Sequence, residues 1–237
     1  AELRQVFSIA PALVASRPSA QTLEKASLPG AQACGDVSEL VWSACLLLGE
    51  AATEFGDSEM IPEREDLLSE RREAHAVVVH KAVPSDSRIT ASDLKRTFEQ
   101  LKRFTAPEPL RRAIERLGRA RAASDDVERA LELGICAEIA LTHADMGSGE
   151  IAFRLATRIA WLLGGTPDER VQIFREAKAL YDARSKAVHE GRLSHRVQPD
   201  LVSGDRLVTQ ALRAILAHGA FPDWNRLTMG GGWKAPP

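Results

Sequence analysis

Residues 180 to 191 read Leu-Tyr-Asp-Ala-Arg-Ser-Lys-Ala-Val-His-Glu-Gly and set an arginine and a histidine five positions apart, just before a glycine. Arg184 carries a permanent charge on a planar fork of donors that matches phosphate oxygens, and His189 can exchange a proton near neutral pH. Together they have the chemistry to hold and cleave a phosphodiester. Spacing alone does not carry that reading, because Arg213 and His218 repeat it in Arg-Ala-Ile-Leu-Ala-His. There the intervening residues are apolar or small, and a core helix with polar ends is expected. Around the first pair, Asp182 precedes the arginine, the hydroxyl-bearing Ser185 follows it, and Gly191 lies where a helix would stop. On a continuous α-helix, residues five apart point about 140° away from one another and lie about 7.5 Å apart along the axis. They converge only if the arginine arm bends back, if the last turn distorts, or if a second copy of the segment faces the first. The third arrangement implies a dimer with a shared cleft.

The elements that must present this segment are mostly helices. Thr166-Pro167-Asp168-Glu169 combines a threonine cap, a proline at the first helical position and a glutamate at the third, and starts a helix through Val171, Phe174, Ala177 and Leu180 into the Arg184 segment. Before it, residues 150 to 163 carry Ile151, Leu155, Ile159 and Leu162 on one stripe and end at Gly164-Gly165. No strand precedes those glycines, so they read as a helix stop and not a phosphate loop. Ser124-Asp125-Asp126 caps a helix from about 125 to 143, with Val127, Leu131, Gly134, Ile135 and Ile139 on its apolar face. Glu138 lies close to that face. A carboxylate there needs a partner, and Arg154, Arg158 and Arg184 are the candidates. The two uses of such a pair are a structural salt bridge and support of a catalytic arginine.

Further helices are expected from Thr90 or Ser92 through Leu101, from Pro107 through Leu117, from about 204 to 218 ending at Gly219, and from Ser38 through Leu48. The helix after Pro107 sets Arg111, Arg112, Arg116, Arg119 and Arg121 between its apolar positions, a stripe that could track a phosphate backbone. Glu108 and Glu115 dilute it, and a purely structural role is the plainer reading. Ala76 to Val83 is the one strand expected, because Val77-Val78-Val79 favours a pleated surface and Pro84 ends it. His75 and His80 flank that strand but five apart they face opposite sides, and no other His or Cys pair has ligand spacing. No metal and no cofactor are expected. Residues 1 to 35, broken by Pro11, Pro18 and Pro29, are expected to be irregular with at most one short helix, and 62 to 74 reads as a charged, solvated helix.

At 237 residues the chain suffices for one large or two small domains, and 44% hydrophobic with 27% charged residues places it among globular chains. The net charge of −2 excludes a strongly basic protein and leaves any nucleic-acid contact to local patches. Cys34, Cys45 and Cys136 lack CxxC spacing, which favours a reduced, cytoplasmic setting. No apolar run approaches the roughly 18 residues of a spanning helix, so no membrane contact is expected. A chain that starts on Ala1 and not Met reads as a trimmed product or a piece of something longer.

Three stretches in order, Leu131-Glu132-Leu133-Gly134-Ile135-Cys136-Ala137-Glu138, then Ile151-Ala152-Phe153-Arg154 with Trp161-Leu162-Leu163-Gly164, then Tyr181 to Gly191, resemble the C-terminal HEPN domains of the Apea-like group over about residues 105 to 220. The resemblance implies an antiparallel helical bundle at 105–220; with the residue reading of the flanks, the expected fold is mainly α, with a mixed region at 1–104 holding at most a short strand or two and a tail at 221–237 that Gly230-Gly231-Gly232 and Pro236-Pro237 make flexible. It implies a homodimer in which Arg-x4-6-His motifs of both subunits line one cleft, acting as a metal-independent endoribonuclease in toxin–antitoxin, antiphage or RNA-processing systems. Carried onto this chain, Arg184 would bind the scissile phosphate and His189 would act as acid or base, leaving a 2',3'-cyclic phosphate. Glu138, Asp182 and Ser185 would support them, and Arg111, Arg112, Arg116 and Lys186 would meet the RNA, a tRNA or an mRNA. An antitoxin or other regulatory partner is also implied. The chain departs from the pattern at Ser185, where active HEPN nucleases commonly carry Asn, Asp or His. Serine still donates and accepts hydrogen bonds. The departure also suits a second reading, an inactive HEPN module for nucleotide or RNA binding or for dimerisation. In a third, Arg184 merely pairs with Glu138 and His189 caps a helix end.

Overall fold

The computed structural model describes residues 29–49, 51–58, 75–82, 90–142, 150–193 and 200–232. The fold is mainly helical: α1 (Pro29–Leu48), α2 (Ala91–Arg103), α3 (Pro107–Ala122), α4 (Asp126–Thr142), α5 (Ile151–Leu163), α6 (Pro167–Glu190), α7 (Leu201–His218) and the short α8 (Trp224–Thr228). An antiparallel strand pair, β1 (Ala51–Ser58) and β2 (His75–Ala82), follows α1, with Ala51 opposite Ala82 and Ser58 opposite His75. β2 covers the valine run read as a strand, whereas β1, in Ala-Ala-Thr-Glu-Phe-Gly-Asp-Ser, gave no clear alternation to announce it. The expected helix at 62 to 74 lies outside the described residues.

Local signals set most helix ends. The Thr90 hydroxyl accepts from the Asp93 N–H at 3.1 Å, Asp125 accepts from the Glu128 N–H at 2.9 Å, and Asp200 accepts from the N–H groups of Val202 and Ser203. Asp200 therefore opens α7 three residues before the expected start. α1 begins nine residues before Ser38, at Pro29, whose fixed φ and missing N–H suit a first helical turn. Gly219 closes α7 at φ 76°, the left-handed conformation that favours glycine.

Two helical hairpins form the centre, α3 with α4 and α5 with α6, and α7 packs across both. One core runs through them. Leu117, Leu133, Leu141, Leu155, Ile159, Leu212 and Ile215 are fully buried, and Leu47, Leu94, Leu101 and Phe104 belong to the same cluster. The division expected at 104/105 is therefore not a break in packing. Phe104 meets Phe221 edge to face at 5.3 Å between ring centres, and the Thr105 N–H donates to the Gly219 carbonyl at 3.0 Å.

The stretch 221–237, expected as a flexible tail on its glycines and terminal prolines, is corrected over residues 221–232. Asp223 caps α8, and Trp224 and Leu227, three apart, bury against the core. Arg158, itself buried, donates to the Leu141 carbonyl at 2.7 Å and lies 5.5 Å from the Trp224 ring. It thereby ties the end of α4, the middle of α5 and α8 together.

A second charged tie joins α1, α3 and α7. Arg121 donates to both carboxylate oxygens of Asp205, at 2.9 and 2.8 Å, and also to Thr209 and the Leu46 carbonyl. Both charges are withdrawn from water, so deleting one strands the other. Asp205→Ala is expected to cost about 3 kcal/mol of unfolding free energy in urea titrations, against about 1 kcal/mol for removing the Thr166 cap in Thr166→Ala.

Candidate functional site

α6 supplies both residues of the Arg184 and His189 pair. Its start is a full capping box: the Thr166 hydroxyl accepts from the Glu169 N–H at 3.2 Å while the Glu169 carboxylate accepts from the Thr166 N–H at 2.8 Å. Pro167 fills the first helical position. The helix then runs unbroken to Glu190 and closes on Gly191 at φ 63°, whose N–H donates to the Ala187 carbonyl at 3.2 Å. A distorted last turn is therefore not the means by which the two side chains meet. On this continuous helix they diverge by about 140°.

Arg184 turns toward α4. A Cβ added to Gly134 would sit 2.2 Å from the Arg184 Cγ and 2.5 Å from its Cβ, so the arginine stem lies directly over a residue that has no side chain. One turn along α4, Glu138 receives the guanidinium: Nη2 lies 3.1 Å from Oε1 and donates to Oε2 at 3.2 Å. Of the three candidate arginines, Arg184 is thus the one paired with Glu138. Both side chains are largely withdrawn from water, 22% and 23% exposed. The Arg184 Nε is buried and finds no acceptor.

Tyr181, one turn before Arg184, completes the group, with its ring centre 5.7 Å from the guanidinium carbon. Burial pushes its phenol above the ordinary value, as does the Glu138 charge, while the Arg184 charge pulls the other way. Glu138 thus pairs with the guanidinium, and its charge is also felt by the Tyr181 phenol. The arrangement holds Arg184 in one pose and leaves about a fifth of it open to solvent.

The other residues singled out in the sequence lie apart from this group. His189 is exposed in the last turn of α6 and makes no hydrogen bond or ion pair with a described residue. Asp182 is exposed and pairs with Lys178 at 3.2 Å; Ser185 is half-buried and Lys186 exposed. On α3 the arginine stripe is matched by carboxylates. Arg111 pairs with Glu39, Glu108 and Glu115, Arg112 with Glu108 at 3.8 Å, and Arg116 with Glu132 at 3.0 Å. Among the described residues, no group of three or more His, Cys, Asp or Glu side chains is arranged to hold a metal ion, and no helix is long and apolar enough to cross a membrane.

No family model, curated protein or solved structure matches this chain.

The residues that sequence reasoning left out of the site are Gly134 and Tyr181. Gly134 counted only as an apolar position, although a glycine inside a strong helix costs about 1 kcal/mol against alanine and so signals a close approach. Tyr181 is the one tyrosine of the chain, which makes it a direct reporter. Its absorbance titration is expected to fall above the ordinary range near 10, and to move back toward it in Glu138→Gln, where the charge is gone. A proton held more tightly by the folded state means that this stability is complete at lower pH and is lost as pH rises through the folded value. Gly134→Ala is expected to destabilise by about 1 to 3 kcal/mol despite the better helix former, because the stem of Arg184 must move. An unchanged denaturation midpoint would contradict the close packing.

Proposed function

We propose that the chain is a HEPN-type, metal-independent endoribonuclease that acts as a homodimer in a cytoplasmic defence or toxin system, with Arg184 and His189 as its catalytic residues. The observation that carries the reading is the braced Arg184: its stem is fixed over Gly134 and its charge anchored by Glu138, while part of the guanidinium stays open. An arginine that must stabilise a transition state benefits from being held in place before the substrate arrives.

The chemistry follows from the two side chains. The ribose 2'-hydroxyl attacks the adjacent phosphorus, a base accepts its proton, and an acid protonates the departing 5'-oxygen. The products are a 2',3'-cyclic phosphate and a 5'-hydroxyl end. Arg184 would neutralise charge on the phosphorane, and His189, exposed at the end of α6, would move the proton. Because one α6 points the two residues apart, the reading requires Arg184 of one subunit to work with His189 of the other. Lys186, exposed on the same turns, would meet the backbone; the paired arginines of α3 have less charge to offer. An antitoxin or regulatory partner would cover this end of α6.

A second reading, an inactive HEPN module that binds RNA or nucleotide or only dimerises, is favoured by the same ion pair, since Glu138 already offsets the Arg184 charge, and by Ser185. The two readings separate on incubation with tRNA and total RNA in the presence of chelator. The nuclease is expected to leave 2',3'-cyclic phosphate ends and to lose activity by about 100-fold or more in Arg184→Ala and in His189→Ala. Saturable RNA binding without cleavage would move the assignment to the inactive module. Mixing the two inactive variants tests the shared cleft: half of the dimers are mixed and each mixed dimer rebuilds one intact site, so about a quarter of wild-type activity should return. If no activity returns, the two residues do not act across subunits.

A further inference from the structure

α2 and α7 leave a cleft of about 270 Å³ between them, apart from the Arg184 group and lined by Arg96, Thr97, Gln100 and Arg213 with Ala214 and Ala217. We propose that this cleft binds a small phosphomonoester, with Arg213 and Arg96 on the phosphate and Thr97 and Gln100 inside.

Thr97 is the first sign. Its side chain is among the few buried polar ones, at 6% exposed, and it lines the cleft. Its hydroxyl makes no hydrogen bond with a described residue, yet it is not sealed from solvent as the buried orphan atoms are. A hydroxyl so placed takes its partner from whatever fills the cleft. Gln100, half-buried one turn further along α2, likewise makes no hydrogen bond within the described residues.

Charge gives the second sign. Arg96 is paired with Asp93, which takes up part of its charge, but Arg213 has no counterion among the described residues. Most other arginines of the bundle are matched to a carboxylate or a carbonyl. Ala214 and Ala217, on α7 beside Arg213, are small enough to leave the space open.

Donor number selects the ligand. Two guanidinium forks, an amide and a hydroxyl offer more donors than the two oxygens of a carboxylate can accept, whereas a phosphomonoester presents three terminal oxygens and close to two negative charges at neutral pH. The volume lies just under the roughly 300 Å³ at which drug-sized pockets begin, so the organic part must be compact, about the size of a pentose.

Calorimetric titration of the full chain with ribose 5-phosphate, inorganic phosphate and ribose tests the site. Ribose 5-phosphate is expected to bind one to one, more tightly than inorganic phosphate, with no binding of ribose. Arg213→Ala, an exposed position that the fold tolerates, should weaken binding at least about tenfold, the factor equivalent to about 1.4 kcal/mol. Thr97→Val should weaken it as well, while Arg175→Ala, an exposed arginine outside the cleft, should leave it unchanged. Absence of binding by ribose 5-phosphate would overturn the proposal, as would equal loss in Arg175→Ala and Arg213→Ala. Equal affinity for ribose 5-phosphate and inorganic phosphate would overturn the monoester in favour of the bare anion. Retention of binding by Arg184→Ala is expected whether or not the nuclease reading stands.

Discussion

Helix α6 can lie close against α4 only because residue 134 has no side chain. The stem of Arg184 occupies the space that a β-carbon would take, and that single contact fixes how far apart the two helices run and how α6 is rotated about its own axis. Once the rotation is set, the rest follows from helical geometry. Glu138, one turn from Gly134 on α4, comes within reach of the guanidinium; Tyr181, one turn before Arg184, sets its ring beside the same guanidinium; and His189, five residues on, is carried round to solvent. Helices that meet through a glycine gain their energy from dispersion at short range, and a polar group beside such a contact inherits its rigidity. The packing of the bundle and the pose of the site are therefore one fact.

The fate of the arginines explains why composition alone says little about partners. The chain is rich in them, yet Arg111, Arg116, Arg121 and Arg184 each face a carboxylate, and Arg158 serves a carbonyl inside the core. Arginine suits that work because its fork satisfies several acceptors while its stem packs against apolar neighbours. A stripe of cations on one helix thus becomes a set of ties to neighbouring helices. The cations left over, such as Lys186 and Arg213, are the ones with charge to offer a ligand.

Much of the fold was legible because it rests on local rules. Thr166-Pro167-Asp168-Glu169 specifies a helix start within four residues, and Gly191 and Gly219 mark ends through a backbone conformation that other residues resist. The pairing of Glu138 was foreseeable in kind, since a carboxylate near an apolar face needs a cation, but choosing Arg184 over Arg154 and Arg158 required the helix packing. What escaped is nonlocal. Gly134 reads as one more small residue until another helix lies on it; the burial of Trp224 and Leu227 depends on Arg158 and on the end of α7; and the exchange of α3 arginines with Glu39 and Glu132 joins residues far apart in sequence. The early start of α1 was missed for a different reason, because Pro29 reads equally as a breaker and as a first-turn residue.

The rotation of α6 also constrains any dimer that would complete a site. In a two-fold contact between copies of this helix running antiparallel, residues equidistant from the axis face each other. For Arg184 of one subunit to meet His189 of the other, the axis must pass between residues 186 and 187. On the solvent side of that segment, Ser185 is small and half-buried, and Val188 is a large apolar side chain about half exposed, at 48%, so this face is suited to close approach. An axis placed between five and six residues earlier, at Tyr181, would set Arg184 against Lys178 instead and bring two cations together with no histidine near. The same chain could therefore dimerise through α6 and still be inactive, and the position of the crossing, more than the presence of the two residues, is what separates a nuclease from a dimerisation module.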